Sequence, residues 1–291
     1  MTGNTQRPDK TVLLPLDGSR ESMAAVPVAR CMAALSKATL HIVHVAEPRA
    51  PLNDLRTRLG LTAEDLAGVV LDSLPGPAGE AIVRLAHERG SELIVMTLHR
   101  GASARESGLG SVAEAVLAHS RSPLLLVPPA ATPPAWALQE VLLPQDGTPA
   151  SAAIIKPAVD LASRAGAKLL VLHVAVNHAT PSSEAGAMST PRYVDQPQHE
   201  WPAWAQEFIE RVSALCDCRD LDMRFFMGHG EAGAEIARVA RAQHADLIVL
   251  PWHGGQLSPR RAPILKSLFH DLPAPVLILR CGEAARALAR E

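Results

Sequence analysis

Two aspartates stand at equivalent places in this chain. Asp17 closes the apolar run VLLPLDGS, residues 12–19, and Asp146 closes VLLPQDGT, residues 141–148. A carboxylate just beyond a strand can hold a polar ligand at the strand end, or it can start the turn into the next helix. Gly110-Ser111 opens a helical pattern, and a helix N-terminus presents unpaired amides that favour an anion. Arg100 and Arg105, just upstream, add cationic donors for the same anion. His44 and His173 stand in matching HV pairs, and His99 and His253 match as well. Matched histidines indicate a shared structural or pocket role and do not establish catalysis. Gly228-x-Gly230-x-x-Gly233 has the spacing of a dinucleotide fingerprint, but no acidic residue ends the strand that follows it. It reads instead as the turn out of a strand, like PGPAGE at 75–80. Cys216-x-Cys218 lacks a second pair at zinc spacing, and Cys31 and Cys281 are isolated, so no metal site is expected. No Ser-His-Asp arrangement, Walker A loop or HExxH occurs, and no catalytic residue is assigned.

The elements that must position these residues repeat. VLLPLDGS and VLLPQDGT lie 129 residues apart, as do LHIVHV at 40–45 and LLVLHV at 169–174. ELIVM at 92–96 pairs with DLIVL at 246–250 at an offset of 154, and SPLLLV at 122–127 with APVLIL at 274–279 at 152. The second copy therefore carries extra chain between Val174 and Ile236. A repeat this long is a domain and not a solenoid unit. We expect a first domain over 1–130, a Pro/Ala linker over 131–138 and a second domain over 139–291. The short continuous apolar runs suit strands buried on both faces of a parallel sheet. Helices are expected from a cap at Ser19 through Leu35, from Thr148 through Arg164, over Gly79–Arg89 and Glu231–His244, over Ser111–His119 and over about Pro263–Asp271. Val69–Leu74 and Leu221–Met227 read as weaker strands. Pro48–Leu66 has room for one short helix at best. In the second half a polar loop over Asn177–Glu200 precedes an amphipathic helix near Trp201–Cys216.

Composition bounds the function. Hydrophobic residues make up 47% and charged residues 20%, a globular balance. A net charge of −2 and 3% aromatics argue against a nucleic-acid partner. The polar start, the few cysteines and the lack of an 18-residue apolar stretch lead us to expect a cytoplasmic protein with no membrane segment.

Together LLPLDGS, HIVHV, PGPAGEAIVRLAHERGSELIVM and GSVAEAVLAHSRSPLLLV resemble the universal stress protein family, as two tandem copies covering almost the whole chain. The resemblance implies an α/β fold: two tandem doubly wound five-stranded parallel-sheet domains, strand order 3-2-1-4-5, packed as an intramolecular pseudo-dimer through their apolar last strands. A homodimer of chains is compatible with it. ATP-binding relatives carry Gly-x2-Gly-x9-Gly-Ser/Thr after strand four. In the first half those positions hold Thr97, Arg100, Gly110 and Ser111, so one glycine and the serine survive. In the second half Pro251 and Gly254 stand there, the last glycine position falls near Ala262-Pro263, and only Gly254 survives. The resemblance thus implies ATP or another adenine nucleotide in the first domain only, held by Asp17, Val45, Thr97, Arg100, Gly110 and Ser111, with magnesium only if it accompanies ATP. The function expected is a stress-response regulatory module. The alternative is a scaffold or interaction protein that has abandoned nucleotides, and an ATP-hydrolysing enzyme is a third reading.

Overall fold

The computed structural model describes residues 10–98, 108–129, 135–175, 197–215, 220–254 and 263–281. The chain divides into two compact units, one running to Ala137 and one starting at Leu138.

The first unit alternates strand and helix. β1 (Thr11–Pro15), β2 (Thr39–Val45), β3 (Val69–Leu74), β4 (Leu93–Thr97) and β5 (Leu124–Val127) form a parallel sheet of order β3-β2-β1-β4-β5. Its helices are α1 (Ala25–Ser36), α2 (Leu52–Arg58), α3 (Ala78–Arg89) and α4 (Ser111–His119). The second unit repeats the plan with β6 (Glu140–Pro144), β7 (Lys168–Ala175), β8 (Met223–His229), β9 (Leu247–Trp252) and β10 (Val276–Arg280), in the order β8-β7-β6-β9-β10. Its helices are α5 (Pro149–Ala153), α6 (Ile155–Ala165), α7 (Pro197–Leu215), α8 (Ala232–Ala242) and α9 (Pro263–His270). These are the doubly wound five-stranded sheets expected from the sequence.

The strands that read most clearly are those with neighbours on both sides. Val12, Leu13, Leu14, Ile94 and Val95 are all fully buried. β3 and β8 are weaker in apolar pattern because each is the outermost strand of its order, with half-exposed side chains along its length. β8 ends at His229 and not at Met227, because its pairing with the eight-residue β7 continues to Ala175↔His229.

The helices expected from Ser19 and Thr148 are each interrupted. Ser19 does accept the Ser22 amide (3.1 Å), and Ser22 Oγ donates back to the Ser19 carbonyl (2.8 Å). Yet only a 3-10 turn, Ser22–Ala24, precedes α1. Pro27 explains the restart: it has no amide to give Met23, so an α-helix cannot run through it from Ser19. Pro157 acts in the same way between α5 and α6, withholding a bond from Ala153. α7 starts at Pro197, four residues before the expected helix, since proline is favoured in a helix's first turn. Cys216, Cys218 and residues 177–196 of the expected loop lie outside the described residues.

Candidate functional site

In the first unit β1 lies between β2 and β4, and the connections leave it in opposite directions. A crevice must open at the carboxyl ends of those strands. A cavity of about 320 Å³ lies there. Leu16 and Asp17 follow β1 into it; Val43 and Val45 come from β2, Met96 and Thr97 from β4. Ala78 and Ile82 of α3 form one wall, and Gly110, Ser111, Val112 and Ala113 at the start of α4 form another. Ser22 of the 3-10 turn also lines it. Of the residues singled out from sequence, Asp17, Val45, Thr97, Gly110 and Ser111 share this cavity. Arg100, with Arg105 and His99, lies outside the described residues.

Asp17 starts the turn into the first helix and also lines the cavity. Its Oδ1 accepts the Ser19 amide at 2.8 Å, which starts the turn, and the residue is exposed to the cavity. Gly18 completes the bend at φ +87°, where an added Cβ would also stand 3.2 Å from the Arg58 carbonyl. In the second unit Asp146 accepts both the amide (2.9 Å) and the hydroxyl (2.7 Å) of Thr148.

The histidine pair pins these turns from the other face of the sheet. Both rings are buried, and each Nδ1 donates to the carbonyl of the residue that precedes the aspartate: His44 to Leu16 (2.8 Å), His173 to Gln145 (2.9 Å). That assignment fixes Nδ1–H as the tautomer. Burial holds His173 below the ordinary histidine range, against the opposing pull of its bond to Gln145. The Trp204 ring lies 5.3 Å from it, so this face is core and not cleft. His253 is exposed.

The two α-helix N-termini of interest differ in what fills them. Gly110 caps α4 in an extended conformation (φ −74°, ψ 155°) and offers no side chain to the first-turn amides. The residues of that first turn, Gly110 to Ala113, line the cavity. At α8 the cap is Glu231, whose carboxylate accepts the amides of Gly233 (2.9 Å) and Ala234 (2.6 Å). A resident carboxylate thus occupies the anion position of the Gly228-x-Gly230-x-x-Gly233 stretch. Two of its glycines serve packing instead. A Cβ on Gly228 would stand 2.4 Å from Glu235 Cγ, and one on Gly233 would stand 2.5 Å from Ser267 Cβ.

The second unit's equivalent of the cavity is built differently. Thr97 Oγ1 donates to the Ser22 carbonyl (3.3 Å), which tethers the turn to β4. Pro251 stands at the equivalent of Thr97 and has no hydroxyl. There Gln145, in place of Leu16, donates Nε2 to the Ser151 carbonyl at 2.9 Å and is itself 2% exposed. Gly254, the glycine that survives in this half, has φ +81°, and its Cβ would meet Arg280 Nη2 at 2.8 Å. Its glycine is explained by that guanidinium and that backbone. Sequence reasoning passed over Leu16, Ser22 and their partners Gln145 and Ser151. The signal was present as a mismatch inside VLLPLDGS and VLLPQDGT. Among the described residues no three His, Cys, Asp or Glu side chains gather as a metal site, and no helix is long and apolar enough to cross a membrane.

A family model described as the universal stress protein family matches residues 52–128 and 138–280. Among solved structures, the chain is similar to one assigned as a universal stress protein from Pseudomonas aeruginosa UCBPP-PA14, 18% identical, with 97% of each chain covered and a TM-score of 0.66. It is similar to a universal stress protein from Archaeoglobus fulgidus DSM 4304, 16% identical over 94% of this chain and 97% of that one, TM-score 0.63. It is likewise similar to a functionally unknown protein from Pseudomonas aeruginosa PAO1, 18% identical over 97% and 96%, TM-score 0.64. No curated protein matches the sequence. At these identities the solved structures speak to the fold.

Proposed function

The chain belongs to the universal stress protein family as a tandem member, and from that premise we propose that it is a stress-response regulatory module whose first unit binds one adenine nucleotide. The observation that carries the reading is the meeting of Asp17, Val45, Thr97, Gly110 and Ser111 around one cavity of about 320 Å³. That volume is at the lower end of small-molecule sites, about 300–1,000 Å³. Apolar Val43, Val45, Ile82 and Met96 suit the faces of a base, and Asp17 supplies an acceptor for a nucleoside hydroxyl or amine. The open amides of α4 and the Ser111 hydroxyl suit a phosphate, with a helix-terminus contribution of about 0.3–1 kcal/mol. Thr97 replaces a glycine at a position where close backbone approach would favour the outer phosphates. AMP and ADP are therefore expected to bind better than ATP, with ATP affinity on the order of 0.1 mM, roughly −5.5 kcal/mol.

The second unit favours the scaffold reading. Gln145 lies in the position of Leu16, Arg280 lies against Gly254, and Glu231 caps α8 with its own carboxylate. We assign it no nucleotide.

Titration calorimetry with AMP, ADP and ATP tests the proposal, with Ser111→Ala and Gly110→Val measured alongside wild type. Losing a hydrogen bond to a charged phosphate should weaken binding by about tenfold. If wild type binds a nucleotide tightly and neither substitution weakens it, the phosphates lie elsewhere and the site assignment is wrong.

A further inference from the structure

A second recess lies at the opposite, amino-terminal end of the first sheet, where α3 and α4 end and the chain turns back into β4 and β5. Its volume is about 510 Å³. Its walls carry one guanidinium and two imidazoles. His87 comes from the last turn of α3, His119 from the last turn of α4, and Arg121 from the turn into β5. All three are exposed, and among the described residues Arg121 has no ion-pair or hydrogen-bond partner. The one carboxylate on the wall, Glu92, is already held by Lys10 at 2.8 Å.

Two helix carboxyl ends would by themselves repel an anion. Here closing amides engage part of those ends: Gly90 donates to His87 (3.2 Å), Ser91 to Ala86 (2.9 Å) and Ser120 to Val116 (2.8 Å). Two imidazoles and a guanidinium line the recess beside them. A guanidinium with two flanking ring donors matches a tetrahedral oxyanion better than a planar carboxylate, which a single arginine fork would satisfy.

We propose that this recess binds phosphate, free or as the monoester of a small metabolite, through Arg121, His87 and His119. The site is separate from the cleft at the other end of the sheet. Histidine-resolved NMR tests it: the intact chain is titrated with inorganic phosphate and, separately, with glycerol 3-phosphate, at fixed pH and ionic strength balanced with chloride. The His87 and His119 ring signals should shift and saturate with phosphate and not with chloride. Arg121→Gln should weaken the midpoint by about tenfold, while Ser111→Ala in the other cleft leaves it unchanged. Equal midpoints for the two probes identify free phosphate as the source of the chemistry, and a tighter midpoint for the ester identifies a monoester. Equal shifts in chloride, or an unchanged midpoint in Arg121→Gln, would overturn the proposal.

Discussion

At the residue scale, Asp17 lines the cavity while its Oδ1 accepts the Ser19 amide. Asparagine keeps a side-chain oxygen at that position but lacks the charge. Asp17→Asn should therefore leave the thermal midpoint nearly unchanged and weaken nucleotide binding several-fold, whereas Asp17→Ala should lose about 1 kcal/mol of stability as well. Calorimetry of folding and of binding on the same samples checks both. The buried histidines set an acid limit. His41 and His173 are both held below the ordinary histidine range, chiefly by burial, and for His41 also by the nearby Arg89. Groups with a lowered folded pKa bind fewer protons folded than unfolded, so their stability contribution is full above about pH 6.5 and is lost as pH falls below it. Denaturant melts should show stability declining from pH 7 towards pH 5, with a shallower slope in His173→Gln. A flat or rising profile over that window would contradict this account. Asp17, Thr97, Gly110 and Ser111 were legible in the sequence because strand ends and a helix start are marked by their own residue types. The tether from Ser22 to Thr97, or from Ser151 to Gln145, was not. The first joins residues 75 apart and the second residues six apart, and in neither case do the residue types carry a spacing signal.

At the element scale, the crossing of the last two helices is set by small residues that repeat. Gly79 of α3 would place a Cβ 2.7 Å from the Cβ of Ala115 on α4, and Gly233 of α8 makes the same approach to Ser267 of α9. Gly233→Ala should cost about 1–3 kcal/mol through overpacking, and adding Ser267→Gly should recover most of it. A double-mutant cycle in denaturant measures the coupling, and additive losses would show that the contact does not limit the crossing. Gly233 has the spacing of a dinucleotide fingerprint in sequence, although the stretch reads as the turn out of a strand. Spacing alone does not separate a glycine needed for ligand approach from one needed for helix approach. The strands with neighbours on both sides were legible because their apolar runs have no competing interpretation, while the helix starts near Pro27 and Pro157 were missed. In both places a good cap is followed, eight or nine residues on, by a proline that cannot supply the amide a continuous helix needs.

At the scale of the whole molecule, repetition of the fold does not repeat the site. The central claim is the division of labour between the halves. All four tryptophans lie at or after Trp136, so intrinsic fluorescence reports poorly on the first cleft, and stoichiometry must come from heat. Titration calorimetry of the intact chain with ADP should give one site per chain, removed or weakened about tenfold by Ser111→Ala. Two equivalent sites, or one site indifferent to Ser111, would contradict it.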